Sequence, residues 1–429
     1  MKPIVIRGGR VIDPAGGHDA VADIVLQDGK VAGLGKGQGA PDGAEVLDAK
    51  GLVVAPGFVD LHVHLREPGR EDAETIATGA RAAVAGGFTT VCAMPNTDPV
   101  CDNQAAVGFV LKQARDAGLA HVHPIGAVSL GQKGAQLTEF GEMVAAGAVA
   151  FSDDGRPVAT AHLMRTALEY ARSFGVPVID HCEDCSLTEG AAMHEGVVST
   201  RLGLKGWPRA AEEVVVARDI ALAEFSGGHV HLAHMSTAGA IRMIRAAKTR
   251  GVSVTAEVTP HHLSLTHVSC EHYDTNAKMN PPLREQADVD ACREGLKDGT
   301  LDCIATDHAP HPYDAKDQEF DNAPFGVVGL ETALGVAITD LVRGGVLTLP
   351  ELVRCLTSRP AGIAHLGAGT LRKGAAADVV VFDPEAEWTV DPAAFHSRSR
   401  NTPFGGRTLA GRVRWTLVDG RIVHAAAGA

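Results

Sequence analysis

The chain has 429 residues, enough for a large core and more than one structural unit. Hydrophobic residues make up 45%, which excludes a disordered chain, and a formal net charge of −13 argues against a nucleic-acid binder, because phosphate contacts need a surplus of Lys and Arg. An anionic substrate stays open, since one local Arg can reverse the field inside a pocket. The opening stretch from Met1 to Gly8 has no apolar core of signal-peptide length, and no apolar run is long enough to cross a bilayer. The 8 Cys are scattered, and the CxxC pair Cys182 and Cys185 has no second such pair to complete a zinc ribbon. The expectation is a cytoplasmic protein with reduced thiols and no membrane contact.

Residues 1–56 carry short alternating runs such as Ile4-Val5-Ile6 and Ile24-Val25-Leu26 between Gly-rich turns, which predicts strands and hairpins. From residue 57 the pattern changes to eight short apolar runs: Gly57 to His64, Thr89 to Met94, Val122 to Val128, Ala148 to Ser152, Val176 to Asp180, His229 to Ala233, Val252 to Val258 and Asp302 to Thr306. Helical stretches lie between them, at Ala73 to Ala85, Ala105 to Ala117, Ala161 to Phe174, Ala210 to Phe225, Ala238 to Thr249 and Val289 to Leu296. Two more follow the eighth run, Leu330 to Val342 and Leu349 to Thr357. This alternation predicts an α/β fold, a (β/α)8 TIM-like barrel. Strand-like runs return after Leu366, in Asp378 to Phe382 and in Val413 to Val418, the latter followed by the hairpin signal Asp419-Gly420. Neither end alone makes a stable sheet. Together they are expected to form a small β-sandwich domain, from 1–56 and 366–429, beside a hydrolase barrel at 57–365.

Catalytic groups of such barrels come from the C-terminal ends of the strands. Those ends hold His62 and His64, then Pro95 and Asn96, Asp153 and Asp154, His181, His234, and finally Asp307 and His308; the seventh strand runs on to His261 and His262. His62 and His64 are two apart on one strand, so their rings project from one face and can grip one metal. Further His and Asp ligands converging from other strand ends would make a site for zinc or a similar divalent ion. Each residue also has a plainer reading. A buried His is commonly a hydrogen-bonded core residue, the Asp153-Asp154-Gly155 run suits a turn or cap, and Ser236-Thr237 suits a helix cap. His162, His194, His267 and His272 fall in helices or loops and read as surface or structural, and structural roles are expected for His261 and His262 too.

The motifs resemble the amidohydrolase superfamily over essentially the whole chain, from Pro56-Gly57-Phe58-Val59-Asp60-Leu61-His62-Val63-His64 to Gly374-Ala375-Ala376-Ala377-Asp378-Val379-Val380-Val381-Phe382. Within it, His64-Leu65-Arg66-Glu67-Pro68-Gly69, Met94-Pro95-Asn96-Thr97, Phe151-Ser152-Asp153-Asp154-Gly155 and Ala305-Thr306-Asp307-His308-Ala309-Pro310-His311 are similar to the first-type bacterial dihydroorotases. The resemblance implies two zinc ions. His62, His64 and Asp307 would hold one, His181 and His234 the other, with Asp154 bridging where many relatives carry a carboxylated Lys. It implies reversible closure of N-carbamoyl-L-aspartate to L-dihydroorotate and water in pyrimidine biosynthesis, by metal-bound hydroxide with Asp307 as general acid and base. Arg66 would grip the substrate carboxylate, with His64, Asn96, Asn280 and His311 beside it and the backbone of Phe325 and Gly326 holding the ring amide. The polar segment from His311 to Asn322 would act as a lid. A homo-oligomer and a complex with aspartate carbamoyltransferase are further implied. Two alternatives compete: another cyclic amidohydrolase, such as a dihydropyrimidinase or allantoinase, and a non-catalytic scaffold for aspartate carbamoyltransferase.

Overall fold

The computed structural model describes residues 2–427. The chain opens with five strands, β1 (Ile4–Asp13), β2 (His18–Gln27), β3 (Lys30–Gly35), β4 (Glu45–Asp48) and β5 (Val53–Pro56). β1, β2 and β3 make an antiparallel meander, and β4 and β5 pair with β1 in parallel. The next strands are β6 (Phe58–Val63), β7 (Phe88–Ala93), β8 (His121–Pro124), β9 (Phe151–Ser152), β10 (Val178–Asp180), β11 (Met193–His194), β12 (Gly206–Trp207), β13 (Val230–Leu232), β14 (Val254–Val258) and β15 (Cys303–Ile304). Three more close the chain, β16 (Val379–Thr389), β17 (Thr408–Val418) and β18 (Arg421–Ala425).

Each of the eight apolar runs expected after residue 57 contains a strand, and β11–β12 is a small added ladder. β6-β7-β8 and β9-β10-β13-β14-β15 form two parallel sheets. Parallel bridges Gly126–Phe151 and Val63–His308 join their edges, so the pairing runs round in a ring. All six residues of β6 and of β7 are buried, as expected for parallel strands covered on both faces. Helices 76–85, 104–117, 161–172, 210–226, 238–249 and 286–298 return the chain between strands. The helix Phe140–Ala146 was not expected; it has seven residues and ends on Gly147 at φ 117°, too short to show periodicity. The helix expected from Leu330 begins at Ala333 and widens to a π-helical turn at Ile338–Val342.

The two chain ends meet in one eight-stranded sheet, ordered β18-β17-β16-β5-β1-β2-β3 with β4 beside β1. Its separate core includes Ile6, Val11, Ile24, Leu26, Val54, Val379, Val381 and Leu417. Bonds from Gly374 N–H to Val31 O (2.8 Å) and from Ala377 N–H to Gly29 O (2.9 Å) bring the chain's return beside β3, so the sheet curls around that core. At the Asp419-Gly420 turn both residues are left-handed, φ 48° and 71°, the twist a two-residue hairpin needs. The sheet rests on the ring where Phe382 meets Phe58, centroids 6.0 Å apart, and where His121 Nε2 lies 3.1 Å from Asp378 Oδ2.

Candidate active site

The C-terminal ends of the ring strands bring His62, His64, Asp154, His181, His234 and Asp307 together, all buried. His62 and His64 share a face of β6 and its extension, with ring centroids 5.4 Å apart. His234 and Asp307 lie two and three residues past strand ends in left-handed conformations, φ 36° and 47°, and Arg66 does the same beyond His64 at 62°. Such backbone costs about 1 kcal/mol or more per residue and persists only where surrounding contacts over-determine it. For Asp307 those contacts include the preceding Thr306, whose N–H and hydroxyl both bond Asp60.

Asp154 stands at the centre. Its Oδ2 lies 3.3 Å from His62 Nε2 and 3.4 Å from His64 Nε2, while its Oδ1 lies 3.5 Å from His181 Nδ1 and 3.4 Å from His234 Nε2. Asp307 Oδ1 completes the first group, 3.1 Å from His64 Nε2 and 3.6 Å from His62 Nε2. In the second group His181 Nδ1 and His234 Nε2 are 2.9 Å apart. The neighbouring Asp153 turns away and accepts from the N–H and hydroxyl of Ser129.

These residues fit metal ions. Nitrogen and oxygen ligands about 2.0–2.1 Å from a tetrahedral zinc sit about 3.3 Å from one another, close to the spacings in both groups. His62 Nε2 and Asp154 Oδ1 are buried with no hydrogen-bond partner, although each faces the other group members. The electrostatics call for positive charge as well. Burial opposes a charged His62, but Asp154 and Asp307 outweigh it and hold its pKa well above the usual range. Burial likewise opposes a charged His181, yet Asp154 and Glu183 lift it to about 10. Burial favours a neutral Asp154 and a neutral Asp307, and the surrounding imidazoles nevertheless hold both well below the usual carboxylate range.

The residues expected around a substrate lie close by, several with a partner already. Asn96 Oδ1 is 2.8 Å from His64 Nδ1, so Asn96 orients that ring. Asn280 donates to Glu183 Oε2 at 3.0 Å and leaves its own buried Oδ1 unpaired. Arg66 anchors Nε on Pro310 O at 3.1 Å, and its Nη2 is 3.5 Å from His311 Nε2. Burial and Arg70 push its pKa down to about 10, so it keeps its charge at neutral pH. His311 donates to Phe325 O at 2.8 Å, and burial with Arg66 nearby lowers its pKa to about 2. Gly326 N–H donates to Lys278 O at 3.0 Å, and at φ 143° with Ala309 O and His311 crowding it, only glycine fits there.

The segment from His311 to Asn322 holds a short helix, Tyr313–Lys316. Two buried lysines grip it through backbone carbonyls: Lys278 Nζ on Phe320 O (2.6 Å) and Asp321 O (3.0 Å), Lys316 Nζ on Lys278 O (3.2 Å) and Pro324 O (2.8 Å). His262 is tied to Thr259 and Pro281 O. His261 sits beside the cluster with a buried, unpartnered Nε2. His308 turns outward to Glu74. His194 and His267 gather with Glu285 into a second ligand-like group. Arg284, always a donor, bonds His194 Nδ1 at 3.4 Å, so neutral His194 carries its proton on Nε2 and offers that group no lone pair.

Sequence reasoning missed Glu183 and Glu257. Glu183 Oε2 lies 3.0 Å from His181 Nε2, and Glu257 Oε1 lies 2.7 Å from His62 Nδ1. A signal existed for Glu257: a carboxylate inside the apolar run Val252 to Val258 must be paired if it is buried.

Imidazoles and carboxylates converging at the C-terminal ends of a parallel-strand ring make a candidate metal-dependent hydrolase site. Solved hydantoinase and dihydropyrimidinase structures share the fold. The L-hydantoinase (dihydropyrimidinase) from Arthrobacter aurescens superposes with a TM-score of 0.88 at 24% identity, covering 99% of this chain and 96% of that one. Dihydropyrimidinase from Brevibacillus agri NCHU1002 gives 0.86 at 24%, covering 98% and 94%. A family profile described as "Dihydro-orotase-like" matches residues 51–240. Dihydroorotases from Anaeromyxobacter dehalogenans (strain 2CP-C), Pelotomaculum thermopropionicum and Geobacter metallireducens are 61%, 56% and 52% identical to the chain; each alignment covers 98% of it and 98%, 98% and 99% of the relative. The chain belongs to the dihydroorotase family. Among the described residues no helix is long and apolar enough to cross a membrane.

Proposed function

We infer that the chain catalyses the reversible closure of N-carbamoyl-L-aspartate to L-dihydroorotate and water, a step of de novo pyrimidine biosynthesis. The observation that carries this reading is Asp154 facing two ligand groups with its two oxygens, with Arg66 held on Pro310 beyond His64. His62, His64 and Asp307 would hold one zinc ion, His181 and His234 a second, and Asp154 both. Zinc ions so bound would lower the pKa of a water and polarise the amide carbonyl.

The protein's own groups do the rest. Arg66 presents a charged fork to the substrate carboxylate. Asn96 and Glu183 fix the rings of His64 and His181 from behind. In the hydrolytic direction Asp307 accepts the proton of the attacking water and returns it to the leaving ring nitrogen; in cyclisation it runs the same transfers backwards. Asn280 and His311 would join Arg66 at the substrate, and the backbone of Phe325 and Gly326 would hold the ring amide. The lysine-gripped segment after His311 would act as a lid.

The same reading takes the strand ring as a (β/α)8 barrel at 57–365 and the terminal sheet as a β-sandwich domain from 1–56 and 366–429. It includes a cytoplasmic location, a homo-oligomer and a complex with aspartate carbamoyltransferase. The test is turnover of L-dihydroorotate beside dihydrouracil, hydantoin and allantoin. Selective turnover of dihydroorotate is expected; preference for an uncharged ring, or no turnover by the metal-loaded protein, would overturn the reading.

A further inference from the structure

Behind His62 a line of polar groups that the reaction does not use runs from the buried Glu257 and His231 to the half-buried Thr255 and His229. Glu257 projects from β14 and is fully buried. Its Oε1 is 2.7 Å from His62 Nδ1 and its Oε2 is 3.0 Å from His231 Nε2. His231 Nδ1 is 2.8 Å from Thr255 Oγ1, which is also 2.8 Å from His229 Nε2.

The hydrogens along this line are fixed by one fact: an ionised carboxylate only accepts. Each Glu257 oxygen faces one imidazole nitrogen, at 2.7 Å and 3.0 Å, the geometry of a carboxylate accepting from both rings. Both imidazoles therefore donate to Glu257, His62 from Nδ1 and His231 from Nε2. His231 is left with a lone pair on Nδ1, which accepts the Thr255 hydroxyl, and Thr255 in turn accepts from His229 Nε2. For His62 the consequence falls on the opposite ring nitrogen. In the neutral ring Nε2, which faces Asp154 and Asp307, then has the lone pair a metal ion needs.

We propose that Glu257, locked by His231, is the positioning residue that sets the tautomer, orientation and basicity of His62 as a metal ligand. The inference rests on the reading of His62 as a ligand. A carboxylate bonded to both His62 and His231 cannot rotate without breaking one of two buried bonds, so the His62 ring is held from behind. Removing such a partner typically costs about 10–100-fold in metal affinity.

The test is equilibrium titration of metal-depleted protein with Zn2+, stoichiometry read by mass spectrometry, for wild type and Glu257→Gln. The variant keeps the shape but loses the charge. It is expected to bind the ion of the His62 group about 10–100-fold more weakly, to leave the His181–His234 ion little changed, and to show an altered absorption spectrum when Co2+ replaces zinc. Glu257→Gln binding both ions as tightly as wild type would overturn the positioning role alone; a wild type that binds no divalent ion would overturn the ligand reading as well. Neutron diffraction from wild-type crystals needs no variant: a deuteron on His62 Nδ1 directed at Glu257 is expected, and its absence there overturns the proposal.

Discussion

In the proposed reaction Asp307 would carry the proton transfers and Arg66 the selectivity, and both sit in left-handed backbone just past a strand end. Asp307→Asn keeps the shape and one potential ligand oxygen but cannot accept a proton. Turnover should fall about 10²–10⁴-fold, the usual worth of a positioned acid or base, with the fold retained by circular dichroism; near-normal rates would remove Asp307 from that role. Arg66→Lys keeps the charge and loses the fork, so KM for dihydroorotate should rise about tenfold or more, one lost charge-assisted bond, with a smaller change in kcat. The clustered His and Asp residues were legible in the sequence because each falls at or just past the end of an apolar run. Choosing Asp154 over Asp153 needed the resemblance, and the structure gives the physical reason: Ser129 claims Asp153. Glu257 and Glu183 were not legible, because their partners lie far along the chain or on a ring nitrogen whose direction no spacing encodes.

Among the elements, the strands were read more surely than their lengths. The run Val122 to Val128 yields only three strand residues, Val122 to Pro124, because the chain then leaves the ladder while still bonding Ala93 O and Ala150 O. Buried apolar character marks the layer a segment occupies and not where its pairing stops. The β8–sheet contact supplies a test at this scale. The hydrogen bond from Asp378 raises the His121 pKa, against burial. A His whose folded pKa is raised above its unfolded value of about 6.5 contributes stability that is full below that value and lost as pH rises through the folded one. His121→Gln should therefore lower the melting temperature more at pH 6 than at pH 9, by a modest amount because His121 is 35% exposed. An equal loss at both pH values would show that the imidazole's charge does not tie the sheet to the ring.

At the scale of the whole molecule, the two chain ends share one sheet and one core, so the ring is held between segments more than 300 residues apart in sequence. That joining was legible only as a requirement, since each end was too small to stand alone. A metal ion held by the His and Asp cluster would add a second tie across the ring, from β6 to the ends of β9, β10, β13 and β15. Removing zinc with a chelator should abolish turnover and lower the melting temperature, because an ion at 1,000 times its Kd stabilises the folded state by about 4 kcal/mol; an unshifted melting curve would mean the cluster holds no ion in solution. The most direct test of the account is a crystal structure with L-dihydroorotate bound, with data collected at the zinc absorption edge. Two anomalous peaks flanking Asp154 are expected, one within reach of His62, His64 and Asp307 and one of His181 and His234, with the substrate carboxylate on Arg66. A single peak away from Asp154, or a carboxylate bound elsewhere, would contradict it.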